Sequence, residues 1–378
     1  AIGRMDFQLS SKHSLFGRYY APHIYTPTPY DLTKNILTTL TTGTDALHQY
    51  FAFGSTYLIG PNTVNSMRFS ANRVKSKVLG AEAFDACEAG ANIYCGYAPR
   101  RTNIAITNGP SVGSAFATGD GGWQNTFNIN DDISLIRGTH QIAFGANPRL
   151  SWAGLKDNFI DAPKLVFNGS ITGHGLSDFM AGRLFTLTAG GPYYISEQAW
   201  GMAAYAADTW KATPKVTLNY GVRWEPFLPW NILSGQNHSF DYNRFKQGIK
   251  SSVFPNAPAG WHYPGDAGFP GKTGLNKDWA QFGPRVGLAW DPNGNGRTSV
   301  RASYSYSYSY VGPEWREDFS QQNPWANGTQ IRTPAGGLDD PWRGIPGGNP
   351  FPIIRGAGAQ FTQAGDYSTT PYDLKTPR

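Results

Sequence analysis

Two adjacent aspartates, Asp131 and Asp132, are residues whose type could support catalysis, because paired carboxylates can act as general acid and general base. They lie in WQNTFNINDDISLI, whose alternation of polar and apolar residues predicts a β-strand. Neighbouring residues of a strand point to opposite faces, so these two carboxylates are expected not to share a substrate. A second pair, Asp339 and Asp340, lies in a Gly/Pro-rich stretch and is interpreted as solvated turn residues.

Metal-binding patterns are incomplete in this sequence. DPNGNG, residues 291–296, matches the start of a calcium loop, but Ala302 stands where the bidentate glutamate would be, so a turn is favoured. Cys87 and Cys95 lack the second Cys or His pair of a zinc site; a local disulfide, suited to an oxidising compartment, is favoured over two free thiols. The seven histidines form no recognisable ligand pair. We therefore expect no catalytic residue, no metal site, no cofactor and no enzymatic activity.

The composition narrows the class of protein. Charged residues make up 15% of the 378 residues and aromatic residues 14%, whereas a typical soluble domain is about 25% charged. The net charge of +6 is small for this length and forms no basic stripe, so no nucleic-acid partner is expected. No apolar run is long enough for a transmembrane helix.

Long alternating segments are the elements that must position any functional side chain. The segments PKVTLNYGVRWEP and QFGPRVGLAW place apolar residues on one face and polar residues on the other. In ASYSYSYSYV, residues 302–311, serine and tyrosine alternate in the same way, and Arg301 shares the serine parity. Four short turns, at 59–62, 136–139, 211–214 and 291–296, recur about every 80 residues and are separated by long loops.

Strands longer than ten residues, with short turns at one end and long loops at the other, are typical of transmembrane β-barrels. If Arg301 faced lipid near the middle of the membrane, it would destabilise the folded protein by about 2–4 kcal/mol. We therefore assign the face that carries Arg301 to the lumen. The lumen-facing candidates are Asn219, Arg223, Arg285 and Arg301. The lipid-facing candidates are Val216, Leu218, Tyr220, Val222, Trp224, Val286, Leu288 and Trp290.

Tryptophans in Gly/Pro-rich loops are the remaining signal for ligand contact, because exposed rings can stack on sugars or pack on a polymer. The candidates are Trp230, Trp261, Trp315, Trp325 and Trp342. The alternative is that these rings pack within the loops or form an interfacial aromatic girdle. A segment between the loops, GLSDFMAGRL, is expected to form a short amphipathic helix with Leu176, Phe179, Met180 and Leu184 on one side.

Several segments resemble the Oar-like TonB-dependent outer-membrane transporters. AADTWKATPKVTLNYGVRWEPFLP looks like a strand–turn–strand signature of that family, and DWAQFGPRVGLAWDPNGNGRTSVRASY resembles the next one, in the same order. IRGTHQIAFGAN, DFMAG and PGGNPFP match shorter segments of the family. The resemblance implies a barrel of about 22 strands, plugged by an N-terminal domain, that takes up large nutrients in the bacterial outer membrane using energy relayed by TonB.

The expected fold class is thus all-β, an antiparallel transmembrane β-barrel portion of about 10–11 strands. Residues 1–378 are expected to be a partial barrel domain, without the plug and the C-terminal half of the barrel. Its expected partners are outer-membrane lipid, a nutrient ligand and, through the plug region, the TonB system. The alternative hypothesis is a secreted β-rich glycan-binding module with short strands in two packed sheets; an extracellular glycoside hydrolase ranks last because no acid pair is credible.

Overall fold

The structure is a computed structural model that describes residues 1–114, 121–157, 160–309, 312, 319, 321–361, 365 and 367–377. One large antiparallel sheet dominates it, and ten strands form its continuous path. Numbered in chain order over all sheets, these are β1 Ile2–Ser10, β2 His13–Tyr20, β4 Gly43–Gly60, β5 Thr63–Leu79, β8 Gly121–Arg137, β9 His140–Ala146, β14 Ala204–Thr213, β15 Val216–Trp224, β19 Phe282–Trp290 and β20 Val300–Ser305. The predicted antiparallel all-β architecture is confirmed, and the path length agrees with the predicted 10–11 strands.

Four further strands join this sheet at the long-loop end. They are β3 His23–Thr26, β10 Arg149–Asp157, β13 Tyr193–Gly201 and β16 Asn231–Ile232. Strand β3 pairs with β4 beyond the point where β2 stops, and β10 pairs with both β8 and β13. The sheet therefore continues past the ends of the shorter strands, which explains why β4 is 18 residues long and why β5 and β8 are 17 each.

The hairpins turn where the sequence predicts, because each turn carries residues that break a strand. Pro61 and Asn62 separate β4 from β5, and Gly138 and Thr139 separate β8 from β9. Gly138 has φ +59°, in the left-handed region that glycine adopts without a Cβ clash. In the DPNGNG turn, Asp291 accepts backbone N–H bonds from Gly294 at 2.8 Å and Gly296 at 2.7 Å, as expected for a turn.

The long loops contain a second, smaller sheet that sequence reasoning missed. Its strands, in chain order, are β6 Asn103–Ile106, β7 Val112–Gly113, β11 Lys164–Phe167, β12 Thr186–Ala189 and β21 Thr329–Arg332. The parallel pair β6–β11 and the pair β12–β21 join segments that are far apart in sequence. A two-stranded sheet of β17 Ser239–Phe240 and β18 Trp261–His262 lies in a later loop. The helices are short: α1 Pro29–Thr33, α2 Gly175–Met180 and α3 Tyr242–Lys246, with 3₁₀ turns at Ile36–Thr38 and Gly356–Gly358.

Among the described residues, the two largest hydrophobic cores lie in the loops. The first surrounds the five-stranded sheet and includes Leu165, Phe167 and Leu187, which are almost fully buried. The second centres on Tyr263 and Phe254. Cys87 and Cys95 are joined by a disulfide beside the first core. The loops are thus packed units and not plain connections between strands.

Two local expectations need correction. In α2, the predicted apolar side is split: Phe179 and, beyond the end of the helix, Leu184 pack in the first core, whereas Leu176 and Met180 are exposed. In the described part of the serine–tyrosine repeat, the regular strand ends at Ser305, and residues 310 and 311 lie outside the described residues. Within the described residues, no helix is long and apolar enough to cross a membrane.

Candidate functional site

The main sheet has two faces of opposite character, defined here as the polar face and the apolar face. In an antiparallel sheet, residues that lie directly opposite each other point to the same face. The register between strands therefore shows which residues of neighbouring strands share a face. Tyr220 of β15 lies opposite Val286 of β19, which lies opposite Tyr304 of β20. One residue earlier in β15, Asn219 lies opposite Gly287 of β19, which lies opposite Ser303 of β20.

The structure places all four lumen-facing candidates on the polar face. They occupy successive transverse rows, in the order Arg223, Arg285, Asn219 and Arg301, running from the long-loop end toward the short turns. Rows on one face are two residues apart, about 7 Å along a strand, so the four side chains span about 20 Å of the face. We call these four residues the polar stripe.

All eight lipid-facing candidates lie on the apolar face, in register across β15 and β19. This face is widely exposed: Phe51, Phe127, Val222, Val286 and Trp290 each leave at least two-fifths of the side chain accessible. A soluble protein rarely exposes a continuous apolar surface of this size. These residues belong to one sheet and stay exposed, whereas a sandwich of two packed sheets would bury one face of each sheet.

Hydrogen bonds across the polar face fix its side chains. Tyr205 of β14 donates its hydroxyl to Asp132 of β8 at 2.7 Å, reaching over Gly145 of β9, which separates the two strands. A Cβ at Gly145 would stand 2.5 Å from Oδ1 of Asp132 and 2.9 Å from the Tyr205 ring, so glycine is what allows this bond. As predicted, Asp131 points to the opposite face, where Asn65 donates to it.

The charges of the polar stripe are only partly neutralised. Arg223 pairs with Glu225 at 2.7 Å. Arg301 donates to Ser299 at 3.2 Å, and within the part of the chain that the structure describes, neither Arg301 nor Arg285 forms an ion pair. The stripe therefore carries a local positive charge.

Two open grooves lie on the polar face. One, of about 400 Å³, is lined by Asn219 and Arg301 of the stripe and by Ser303. The other, of about 500 Å³, lies between β2, β4 and β5, where Tyr20 and Tyr50 are stacked with ring centroids 5.9 Å apart beside Arg18. Most of the residues that line the two grooves have the polar parity.

The apolar face also contains a polar cluster around Asp208 that the sequence analysis missed. Asp208 of β14 accepts hydrogen bonds from Tyr220 at 2.7 Å and from the His140 ring at 2.6 Å, and His140 stacks on Trp210. Tyr220, predicted to face lipid, thus lies on the expected face but has a hydrogen-bonded hydroxyl. The residues AYAADTWKAT alternate too weakly to show that Asp208 shares this face.

The loop tryptophans in the described residues are mostly buried, which agrees with the interpretation that their rings pack within the loops. Trp230, Trp261 and Trp342 retain 4%, 6% and 5% accessibility, and the Trp342 indole donates to the carbonyl of Asn92. Trp325 is half-buried against the second core, and Trp315 lies outside the described residues. The rings fill the loop cores, in agreement with the packing alternative.

Burial shifts the pKa values of several groups in the second loop core, and hydrogen bonds oppose it at Asp266. Burial raises the pKa of Tyr367 to about 12, and it also raises that of Tyr263. Burial lowers the pKa of His262, although its ring nitrogen contacts the Ala267 carbonyl at 3.1 Å. Burial is the largest single influence on Asp266 and raises its pKa, but donors from Tyr263 and nearby serines together outweigh it and hold the pKa below its ordinary value.

A family model for the outer membrane beta barrel domain matches residues 1–378. The chain belongs to this outer membrane β-barrel family. Its place is therefore the outer membrane, as the resemblance to outer-membrane transporters implied, and the secreted-module alternative is wrong. A search of curated proteins found no significant match.

Solved structures with similar folds include two transporters from Escherichia coli. The outer membrane transporter YddB is 12% identical with a TM-score of 0.42, and the match covers 82% of this chain and 31% of that one. The ferric-catecholate import receptor Fiu, in its open form, is 14% identical with a TM-score of 0.43 and coverages of 82% and 46%. A FadL homologue from Pseudomonas aeruginosa is 8% identical with a TM-score of 0.29 and coverages of 82% and 60%. The chain thus spans less than two thirds of each of these structures.

Proposed function

We propose that this chain forms part of the wall of an outer-membrane transporter, with the polar face lining the path of a solute and the apolar face in contact with lipid. The observation that carries the proposal is the separation of polar and apolar side chains over ten strands in register. Charged side chains are costly in hydrocarbon and inexpensive beside water, so this separation fits a lipid-facing side and a watery lumen.

The uptake is proposed to be energised through TonB and to act on a large nutrient such as an oligosaccharide, a peptide or a metal chelate. The resemblance of the β14–β15 and β19–β20 hairpin sequences to Oar-like transporters supports TonB dependence. Arg285 and Arg301, which lack a carboxylate partner in the described part of the chain, favour a solute that carries anionic groups.

Labelling of neighbouring positions tests the assignment of the faces. Leu218→Cys and Asn219→Cys variants of the full-length protein are expressed in intact cells, while Cys87 and Cys95 stay protected in their disulfide. We expect a fluorophore at 218 to be quenched by a lipid-phase quencher and a cysteine at 219 to react with a water-soluble maleimide. The same response at both positions would contradict the proposal.

Uptake by cells tests the transport itself. Fluorescent oligosaccharides, peptides and metal chelates are compared with and without an uncoupler of the inner membrane. We expect one class to accumulate, and its uptake to stop with the uncoupler and to fall in an R285E/R301E variant. A K12E/K215E variant, with the same charge change at the short turns, serves as the control. Accumulation that persists with the uncoupler would show passive diffusion in place of energised transport.

A further inference from the structure

Three basic side chains form a ladder at the long-loop end of β5. Arg73, Lys75 and Lys77 alternate along the strand and are all exposed. They share the parity of Phe69 and Ala71, so they stand on the apolar face. The span from Arg73 to Lys77 is about 13 Å along the strand. We call these three residues the basic ladder.

The ladder begins where the apolar surface ends. Arg73 lies opposite Gln49 of β4 and Asn125 of β8, whereas Ala71 lies opposite Phe51 and Phe127. Three adjacent strands therefore change from apolar to polar residues at the same level. The transition marks the upper edge of the surface that we propose to contact lipid.

The position of an aromatic side chain supports the assignment of this part of the sheet to the edge of the lipid-contacting surface. Trp123 of β8 lies opposite Lys75, is half-buried, and packs its ring over Gly154 of β10. Tryptophan concentrates where membrane hydrocarbon meets headgroups. The ladder thus stands at headgroup height, on the assumption of the proposed function that the apolar face contacts lipid.

Acidic side chains do not neutralise the ladder within the described residues: no ion pair joins it to any of them. Asp45 lies opposite Lys77 in the register, but its carboxylate contacts the His23 ring at 2.8 Å. Three cations therefore remain available to an anionic ligand on this face.

We propose that the basic ladder binds the phosphate groups of an anionic lipid in the leaflet at the long-loop end. The phosphates would contact Arg73, Lys75 and Lys77, and the acyl chains would lie along the apolar surface below. Phe51 and Phe127, with 42% and 41% of their side chains exposed, lie on that surface opposite Ala71 of β5. A free phosphate ion would use only the charges, whereas a lipid uses the charges and the adjoining apolar surface together.

Native mass spectrometry of the full-length protein in neutral detergent tests the proposal. Phosphatidylglycerol, phosphatidylcholine and inorganic phosphate are titrated separately into wild type and R73Q/K75Q/K77Q. Each near-surface cation strengthens the binding of an anionic lipid about fivefold, so we expect the triple variant to bind phosphatidylglycerol about a hundredfold more weakly. Phosphatidylcholine should bind weakly to both proteins, and the difference should shrink at high salt.

The control variant is K12Q/R137Q/K211Q, which removes three exposed cations from the short-turn end. It should bind phosphatidylglycerol as wild type does. Equal binding by wild type and the ladder variant, or equal loss in the control, would overturn the proposal. Tight binding of inorganic phosphate to wild type, lost in the ladder variant, would show a free-anion site and would also overturn it.

Two further experiments distinguish a loss of lipid binding from a failure of the protein to assemble. If the triple glutamine variant does not assemble, R73K/K75R/K77R should keep the binding and each single glutamine variant should lose about fivefold. The Leu218→Cys quenching experiment, repeated in the ladder variant, reports separately whether the apolar face contacts lipid. Lost lipid binding with normal quenching supports the ladder, while lost quenching in wild type contradicts the proposed function itself.

Discussion

Gly145 is the residue on which the local order of the polar face depends. Replacing it with alanine would place a Cβ 2.5 Å from Oδ1 of Asp132 and 2.6 Å from the backbone oxygen of Asp131. Because the backbone cannot move aside easily, we expect G145A to break the Asp132–Tyr205 hydrogen bond and to cost about 1–3 kcal/mol of stability. Denaturant unfolding of the protein in detergent measures this cost.

Gly287 provides the matched control for that experiment. It lies on the same face in β19, and its nearest contact for an added Cβ is 3.6 Å away, an ordinary distance. G287A should change stability by less than about 0.5 kcal/mol. Equal losses in the two variants would mean that any side chain is harmful at a glycine of this sheet, and that the bond over Gly145 has no special role.

The hydroxyl of Tyr220 is expected to stabilise the polar cluster on the apolar face. Y220F removes a donor to Asp208 and should cost about 1 kcal/mol, since a hydrogen-bonded carboxylate loses one of its partners. Tyr304 lies on the same face, is 65% exposed and makes no hydrogen bond to the described residues, so Y304F should be neutral. Unfolding midpoints that fall equally in both variants would contradict this role for the hydroxyl.

Sequence alternation predicted the face of Tyr220 but not its partner. Parity along one strand follows directly from the period of two, whereas contact with Asp208 depends on the register between β14 and β15. The same limit applies to Tyr205 and Asp132, which are 73 residues apart and meet only through the intervening strand. Hydrogen bonds between strands were therefore not predictable from these residues alone.

At the level of elements, strands and short turns were predictable and the loop architecture was not. The turn at Gly138 is signalled by its own residues, while the parallel pairing of Lys164–Phe167 with Asn103–Ile106 joins distant segments that carry no local signal. The tryptophans illustrate the consequence: Trp261 and Trp342 occur in Gly/Pro-rich segments that suggest exposed loops, but those segments fold around cores.

The loop core around Asp266 should be sensitive to acid. Its carboxylate accepts hydrogen bonds from the backbone N–H and hydroxyl of Ser252, at 2.7 and 2.8 Å, and from the N–H of Tyr263 at 2.9 Å. Because the pKa of Asp266 is lowered in the folded state, its contribution is complete above the unfolded pKa of about 3.9 and is lost as the pH falls through the folded value.

Hydrogen exchange of residues 250–267, corrected for the intrinsic rate at each pH, measures this sensitivity. Protection should fall as the pH drops below about 4 in wild type, whereas D266N should already be less protected at neutral pH and change little with acid. The control is D339N, which alters an exposed carboxylate in another loop. If D266N retains the acid response of wild type, another group is responsible for it.

At the scale of the whole molecule, the alternating residues of neighbouring strands together form one polar and one apolar surface. Each strand alone shows only that two kinds of side chain alternate. The register of ten strands brings Asn219, Gly287 and Ser303 into one row, and Tyr220, Val286 and Tyr304 into the other. The predicted fold class follows from this agreement between strands, because no single segment would establish it, whereas the location in the outer membrane follows from the family match.

The two faces should tolerate a new charge very differently. Val286 and Ser303 lie on adjacent strands, one row apart and on opposite faces. An arginine on the lipid-contacting side near the membrane centre costs about 2–4 kcal/mol, while one beside a watery lumen costs little. We therefore expect V286R to reduce the amount of folded protein in the outer membrane and S303R to leave it near the wild-type amount.

The measurement is the fraction of protein that is folded in purified outer membranes, scored by the shift in gel mobility between unheated and heated samples. Both variants gain the same side chain at nearly the same depth, so differences in synthesis or in the charge itself cancel. A selective loss in S303R would mean that the faces are reversed. An equal loss in both would mean that neither face is open to water, and the polar stripe from Arg223 to Arg301 would then be packed against protein and not line a solute path.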